Sequence, residues 1–148
     1  HLQTNKVKHI VPFVHMIHSV DSVRLLETIN REAEKIGRQV KVLLEVHVAK
    51  EESKSGFTPE EFLSLNTKLS TLNHIEVCGV MGMATNTDDK DEWRRCFREI
   101  KYLASKLSTL NTKQISMGMS DDSLVAIEEG STMVRIGSTI FGSRAYKL

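Results

Sequence analysis

The chain has 148 residues, of which 40% are hydrophobic and 26% charged, and its formal net charge is +1. These values are ordinary for a single soluble globular domain, and the small net charge predicts neither a nucleic-acid nor a membrane partner. No apolar run is long enough to span a membrane, and Cys78 and Cys96 fit free thiols of a reducing compartment. We therefore expect a cytoplasmic protein.

The first half of the chain alternates between predicted strands and helices. A strand at Met16–Val20 precedes a helix over residues 21–36, which has one apolar face and ends at Gly37. The segment Val40–Val48 is rich in β-branched residues and predicts a buried strand. Thr58–Glu61 is a capping box with proline at the first helical position, which predicts the start of the next helix.

The second half continues this alternation. Its predicted elements are a strand at Ile75–Met81, a long helix from about Lys90 to Ser108, a strand at Gln114–Met117, a helix at Asp121–Glu129 that is capped by Ser120, and a strand at Thr132–Ile136. Five strands separated by helices predict a parallel α/β sheet, either open and doubly wound or part of a (β/α) barrel. A full barrel takes roughly 250 residues, so this chain would supply only part of one.

Two segments near the end of the chain combine a short apolar strand with a turn of small residues. Ser116–Asp122 reads Ser-Met-Gly-Met-Ser-Asp-Asp, and Gly130–Gly142 contains Arg-Ile-Gly-Ser-Thr. Such a turn exposes backbone N–H groups at the positive end of a helix dipole, which suits a bound phosphate. Two of these turns in succession are what a barrel uses to hold a phosphorylated ligand after its last two strands.

Six segments together resemble one known family over the whole chain. They are His1–Lys8, Ile17–Asp21, Lys54–Phe57, Gly79–Met83, Ser116–Asp122 and Gly130–Gly142. In this order they resemble the YggS/PROSC family, the pyridoxal phosphate homeostasis proteins. The resemblance implies a (β/α)8 TIM barrel like the N-terminal domain of alanine racemase (PLP fold type III). Residues 1–148 would be a single domain, the C-terminal two-thirds of that barrel, with strands 4–8 and the loop after strand 3.

The resemblance also implies pyridoxal 5′-phosphate (PLP) as the cofactor. The Schiff-base lysine of the family lies on the first strand, so we expect no catalytic residue in this chain. The cofactor-binding residues implied are Ser120, Gly137 and Ser138 at the phosphate, Arg135 at the pyridine nitrogen, and Met117 and Met119 beside the ring. No spacing of cysteine and histidine suggests a metal site.

Each of these assignments has a plainer alternative. Ser120 would serve only as a helix cap, Arg135 would form an ion pair with Glu45, and the methionines would fill the core. Gly137 and Ser138 would form an ordinary turn, with Gly142 ending the last helix.

The function expected is PLP binding in intracellular PLP homeostasis, with no demonstrated catalysis. The alternatives are an amino-acid racemase-like enzyme, a barrel enzyme acting on another phosphorylated metabolite, and a structural domain. We expect a monomer or weak homodimer for the full-length parent, and self-association of a truncated form through open sheet edges.

Overall fold

The computed structural model describes residues 1–107 and 114–142, in which four parallel strands form one sheet. The strands are β1 (Met16–Val20), β2 (Val40–Val46), β3 (Ile75–Gly82) and β4 (Gln114–Ser116), adjacent in that order. The helices are a 3₁₀ turn at Thr4–Lys6, α1 (Val7–Ile10), α2 (Val23–Glu34), α3 (Pro59–Ser64), α4 (Asn66–Leu69), α5 (Lys90–Lys106), α6 (Ser123–Glu128) and α7 (Ser138–Phe141). The predicted alternation is confirmed for the first four strands and the helices between them, whereas the predicted fifth strand is not a regular strand.

The helices begin where local capping chemistry favours them. The Ser22 hydroxyl accepts a hydrogen bond from the Leu25 amide, so α2 starts two residues later than Asp21. Thr58 and Glu61 form the predicted capping box at the start of α3. The Asp89 carboxylate accepts from the Asp91 amide at the predicted start of α5, which ends at Lys106. Ser108, the predicted end, lies outside the described residues.

One face of the sheet is covered by helices and carries the main apolar core. Alternate residues of β2, namely Val40, Val42, Leu44 and Val46, point to this face and are buried. Helix α5 packs Phe97 and Ile100 against them, and both side chains are fully buried. Alternation along a strand sends the remaining side chains to the opposite side.

We call that opposite side of the sheet the inner face. It carries a small apolar cluster of Leu43, Cys78 and Met81, with Met16 and Met133 packed against it. Near the carboxyl ends of the strands it also carries two polar residues, Glu45 on β2 and Ser116 on β4. Met81 on β3 lies between them in the register of the sheet. The polar part of the sheet is therefore at its carboxyl edge.

The predicted last strand, Thr132–Ile136, is paired with β4 without forming a regular strand. A single parallel bridge joins Ser116 and Met133, and the Arg135 amide donates to the Gly118 carbonyl over 2.9 Å. Side-chain hydroxyls replace part of the ladder: Ser131 Oγ donates to the Met117 carbonyl, and Thr132 Oγ1 accepts from the Ile115 amide. These side-chain hydrogen bonds engage backbone groups of Ile115 and Met117 that a regular ladder would pair with backbone.

No helix within the described ranges is both long and apolar enough to cross a membrane.

Candidate functional site

The two turns of small residues meet at the carboxyl edge of the sheet. Ser120 Oγ accepts hydrogen bonds from the backbone amides of Gly137 and Thr139, each over 3.3 Å. The hydroxyl therefore lies on the first turn of α7, a short helix preceded by Gly137. Residues separated by 17 or more positions in the sequence thus share one small site, as the tandem turns predicted.

The prediction that Ser120 caps the helix after it is wrong. Helix α6 begins at Ser123, with Asp122 at its N-cap position and no side-chain cap. Asp122 is buried, and its carboxylate accepts a hydrogen bond from the Met119 amide over 2.6 Å. The Asp122 carboxylate thus bonds an amide that precedes the helix, and the Ser120 hydroxyl bonds the amides of Gly137 and Thr139 instead.

Gly118 and Gly137 differ in backbone conformation and in the space that a larger side chain would find. Gly118 has φ +95°, and a Cβ added there would lie 2.5 Å from the Cβ of Ala126. Gly137 has φ −121°, and an added Cβ would have no atom within 4 Å. Gly137 is therefore not needed for a left-handed backbone, and it leaves open space beside the Ser120 hydroxyl. Gly142, at φ +79°, ends α7 as expected.

Arg135 extends its guanidinium over the carboxyl ends of β3 and β4. Its Nη1 donates to the carbonyl and the hydroxyl oxygen of Ser116 over 2.9 and 2.8 Å, and its Nη2 donates to the Gly82 carbonyl over 3.2 Å. Within residues 1–107 and 114–142 it forms no ion pair, so the alternative pairing with Glu45 is not made; Glu45 and Asp122 act on it only through longer-range attraction. Burial lowers the pKa of Arg135, and those two carboxylates oppose this shift.

Two further polar residues of the inner face lie near this arginine. His18 Nδ1 is 3.1 Å from Ser116 Oγ, and burial followed by the Arg135 charge lowers the pKa of His18. Glu45 is 2% exposed, and burial followed by the nearby Asp21 carboxylate raises its pKa. Sequence analysis named Glu45 only as an alternative ion-pair partner of Arg135 and missed His18 as a member of the site, because single polar residues inside apolar strands carry no motif.

The two predicted methionines lie in different surroundings. Met117 is fully buried in the main core, which is the plainer use of this residue. Met119 is 41% exposed and lines a cavity of about 300 Å³ between the turn after β4 and the loop after β3, together with Met83 and Trp93. Ser138 is exposed at the start of α7. Their contact with a cofactor ring or phosphate stays a prediction.

The Lys54–Phe57 segment fastens the loop after β2 to the neighbouring strand ends. Lys54 Nζ donates to the Ala84 carbonyl over 2.7 Å and forms an ion pair with Glu51 over 3.0 Å. Glu51 also accepts from the Asn86 amide, and these contacts lower its pKa to about 2. The segment therefore positions loops at the rim of the site. The described residues contain no cluster of His, Cys, Asp and Glu that would hold a metal ion.

Parallel strands, helices on one face and a polar carboxyl edge with two convergent turns define an α/β protein of the barrel type. The family model for the alanine racemase N-terminal domain matches residues 2–145. The chain belongs to this family. An alanine racemase from Clostridium difficile has the same fold, with a TM-score of 0.76 over 99% of this chain and 18% identity. The expected alanine-racemase-like parallel α/β fold is confirmed.

Two relatives with higher sequence identity agree with the resemblance found in the motifs. The pyridoxal phosphate homeostasis protein of Aquifex aeolicus is 39% identical over 98% of this chain. The solved structure of PipY from Synechococcus elongatus with PLP bound is 32% identical and superimposes with a TM-score of 0.87, over 96% of this chain and 68% of its own. The resemblance to this group is confirmed. The chain spans 65% of the length of the Aquifex aeolicus relative.

Proposed function

We propose that the chain forms part of a protein that binds PLP and serves intracellular PLP homeostasis. The observation that carries this proposal is the Ser120 hydroxyl, which the amides of Gly137 and Thr139 hold at the junction of the two turns. Relatives with the name pyridoxal phosphate homeostasis protein, and PipY with PLP bound, support it. We infer a monomer or weak homodimer that acts in the cytoplasm, with this chain as a single-domain part of the barrel.

The residues at the carboxyl edge fit the phosphate of this cofactor. Ser120 Oγ accepts two hydrogen bonds, so its own O–H remains to be donated to an anion. Open space beside Gly137 allows an anion to approach the backbone. Ser138 lies exposed at the same turn and would add its amide and hydroxyl. These groups would bind the phosphate through neutral donors.

The charge and position of Arg135 fit the pyridine nitrogen of PLP. When bound, PLP supplies an aldehyde that condenses with amines and a ring that accepts electrons. The Arg135 guanidinium has no ion-pair partner among the described residues, so its positive charge remains available to the ring nitrogen. A cation there disfavours protonation of that nitrogen and makes the ring a weaker electron acceptor than an aspartate partner would.

Calorimetric titration with pyridoxine 5′-phosphate tests the proposal, because this analogue lacks the aldehyde and does not react with surface lysines. We expect Ser120→Ala combined with Gly137→Val to weaken binding at least tenfold, as loss of charge-assisted hydrogen bonds costs roughly 1.5–3 kcal/mol. Ser105→Ala, an exposed serine whose hydroxyl bonds only its own helix, is the matched control. Unchanged affinity in the double variant, or tighter binding of glucose 6-phosphate than of pyridoxine 5′-phosphate, would contradict it.

A further inference from the structure

A hydrogen bond crosses the inner face between the two edge strands of the four-stranded sheet. His18 on β1 and Ser116 on β4 are separated by β2 and β3, yet Nδ1 and Oγ lie 3.1 Å apart. Three strand spacings in a flat sheet amount to roughly 14 Å, more than these two side chains can bridge. The sheet therefore curves toward the inner face, and the imidazole lies across it.

Chemistry fixes the direction of one hydrogen bond of this contact and leaves the other to the tautomer of His18. Arg135 Nη1 can only donate, so Ser116 Oγ accepts from it over 2.8 Å. The Ser116 hydroxyl keeps its O–H and one further lone pair, so the direction of its contact with His18 depends on the imidazole tautomer: Ser116 donates when Nδ1 carries no proton. The pKa of His18 is lowered, first by burial and then by the Arg135 charge, which favours the neutral ring, in which one of the two nitrogens is an acceptor.

We propose that His18 is a positioning residue for Arg135, acting through the hydroxyl of Ser116. The imidazole accepts the Ser116 hydrogen and thereby turns an oxygen lone pair toward the guanidinium. Together with the carbonyls of Ser116 and Gly82, this fixes the orientation of Arg135. The inference rests on the proposed function in one respect, since the ring nitrogen of PLP is the group for which Arg135 is oriented.

Two substitutions of the histidine separate an acceptor role from simple packing. Asparagine places its carboxamide oxygen where the imidazole has Nδ1, whereas leucine keeps bulk and removes the acceptor. We expect His18→Leu to weaken binding of pyridoxine 5′-phosphate about tenfold, the effect of one strong hydrogen bond, and His18→Asn to restore most of it. Affinity for inorganic phosphate, which needs only the turns, should not change in either variant. Wild-type affinity in His18→Leu, or equal losses in both variants, would overturn the proposal.

Nitrogen-15 NMR of the histidine side chains tests the same contact without any ligand. We expect the His18 Nδ1 resonance of an unprotonated acceptor at pH 7, and a clear shift in Ser116→Ala, while the His74 resonances stay in place. A protonated Nδ1, or no response to Ser116→Ala, would overturn the proposal. If the wild type gives these NMR signals but binds neither inorganic phosphate nor pyridoxine 5′-phosphate, the proposed function fails and the His18–Ser116–Arg135 contact stands.

Discussion

The two faces of the sheet are built from alternate residues of the same strands, yet they hold together by different means. The helix-covered face carries the main apolar core, with side chains such as Val42 and Leu44 packed against α2 and α5. The inner face combines a small apolar cluster with Glu45, Ser116 and the Arg135 guanidinium. Apolar packing tolerates exchange of similar volumes, whereas a buried polar group needs its particular partner. Stability and binding should therefore depend on different faces.

The largest expected effect tests the helix-covered face. Phe97→Ala removes a fully buried ring from the core and should lower the free energy of unfolding by about 3–5 kcal/mol. Urea unfolding measures this, with Tyr102→Ala on the same helix as a control that should change stability by less than about 0.5 kcal/mol. A small loss in Phe97→Ala would show that the core does not rest on this face.

A pair of glycine substitutions compares the two turns at the carboxyl edge. Gly118→Ala should cost roughly 2–3 kcal/mol of stability, because φ is +95° and the new methyl group would lie 2.5 Å from Ala126 Cβ. Gly137→Ala should leave the thermal midpoint nearly unchanged, since nothing lies within 4 Å of its added Cβ. Equal losses of stability in the two variants would contradict this distinction, in which the backbone requires glycine at position 118 and does not require it at position 137.

The smallest effect is a pH dependence that originates on the inner face. The pKa of Glu45 is raised in the folded protein, first by burial and then by Asp21, so the native state binds its proton more tightly than the unfolded state. Its contribution to stability is present below the unfolded pKa of 4.5 and is lost as pH rises through the raised folded pKa.

Glu45→Gln isolates this contribution in urea unfolding at a series of pH values. The variant should gain stability relative to the wild type as pH rises from 4.5, and Asp21→Asn should reduce the wild-type loss in part. A difference between wild type and Glu45→Gln that stays constant with pH would show that Glu45 does not titrate as an isolated buried acid.

Sequence patterns predicted one of these faces much better than the other. The apolar period of α2 and α5 and the capping box at Thr58 predicted the helix-covered face, because such patterns depend on neighbours within a few residues. The convergence of the two turns also followed, since the carboxyl ends of parallel strands share an edge. The partner of the Ser120 hydroxyl could not be predicted in this way. The same serine could either cap the helix that follows it or contact Gly137, and the local sequence is identical in the two cases.

The contacts of the inner face depend on curvature, which no local pattern encodes. His15 and His18 are both single histidines at or beside the first predicted strand, and the sequence does not distinguish them. Only the bend of the sheet brings His18 within reach of Ser116. The same holds for Arg135: its plainer alternative partner was a carboxylate, and its observed partners within the described residues are two carbonyls and a hydroxyl. The irregular pairing at Thr132 likewise depends on hydroxyls that happen to face β4 carbonyls.

The hydrogen bond between His18 and Ser116 also bears on the order in which the chain folds. It joins residues 98 positions apart, whereas the contacts between adjacent βα units close much shorter loops. Loop-closure entropy makes such a distant contact one of the last to form. The apolar side of the sheet would then condense first and impose its bend, and the arginine would acquire its final direction only when the whole assembly of strands is complete.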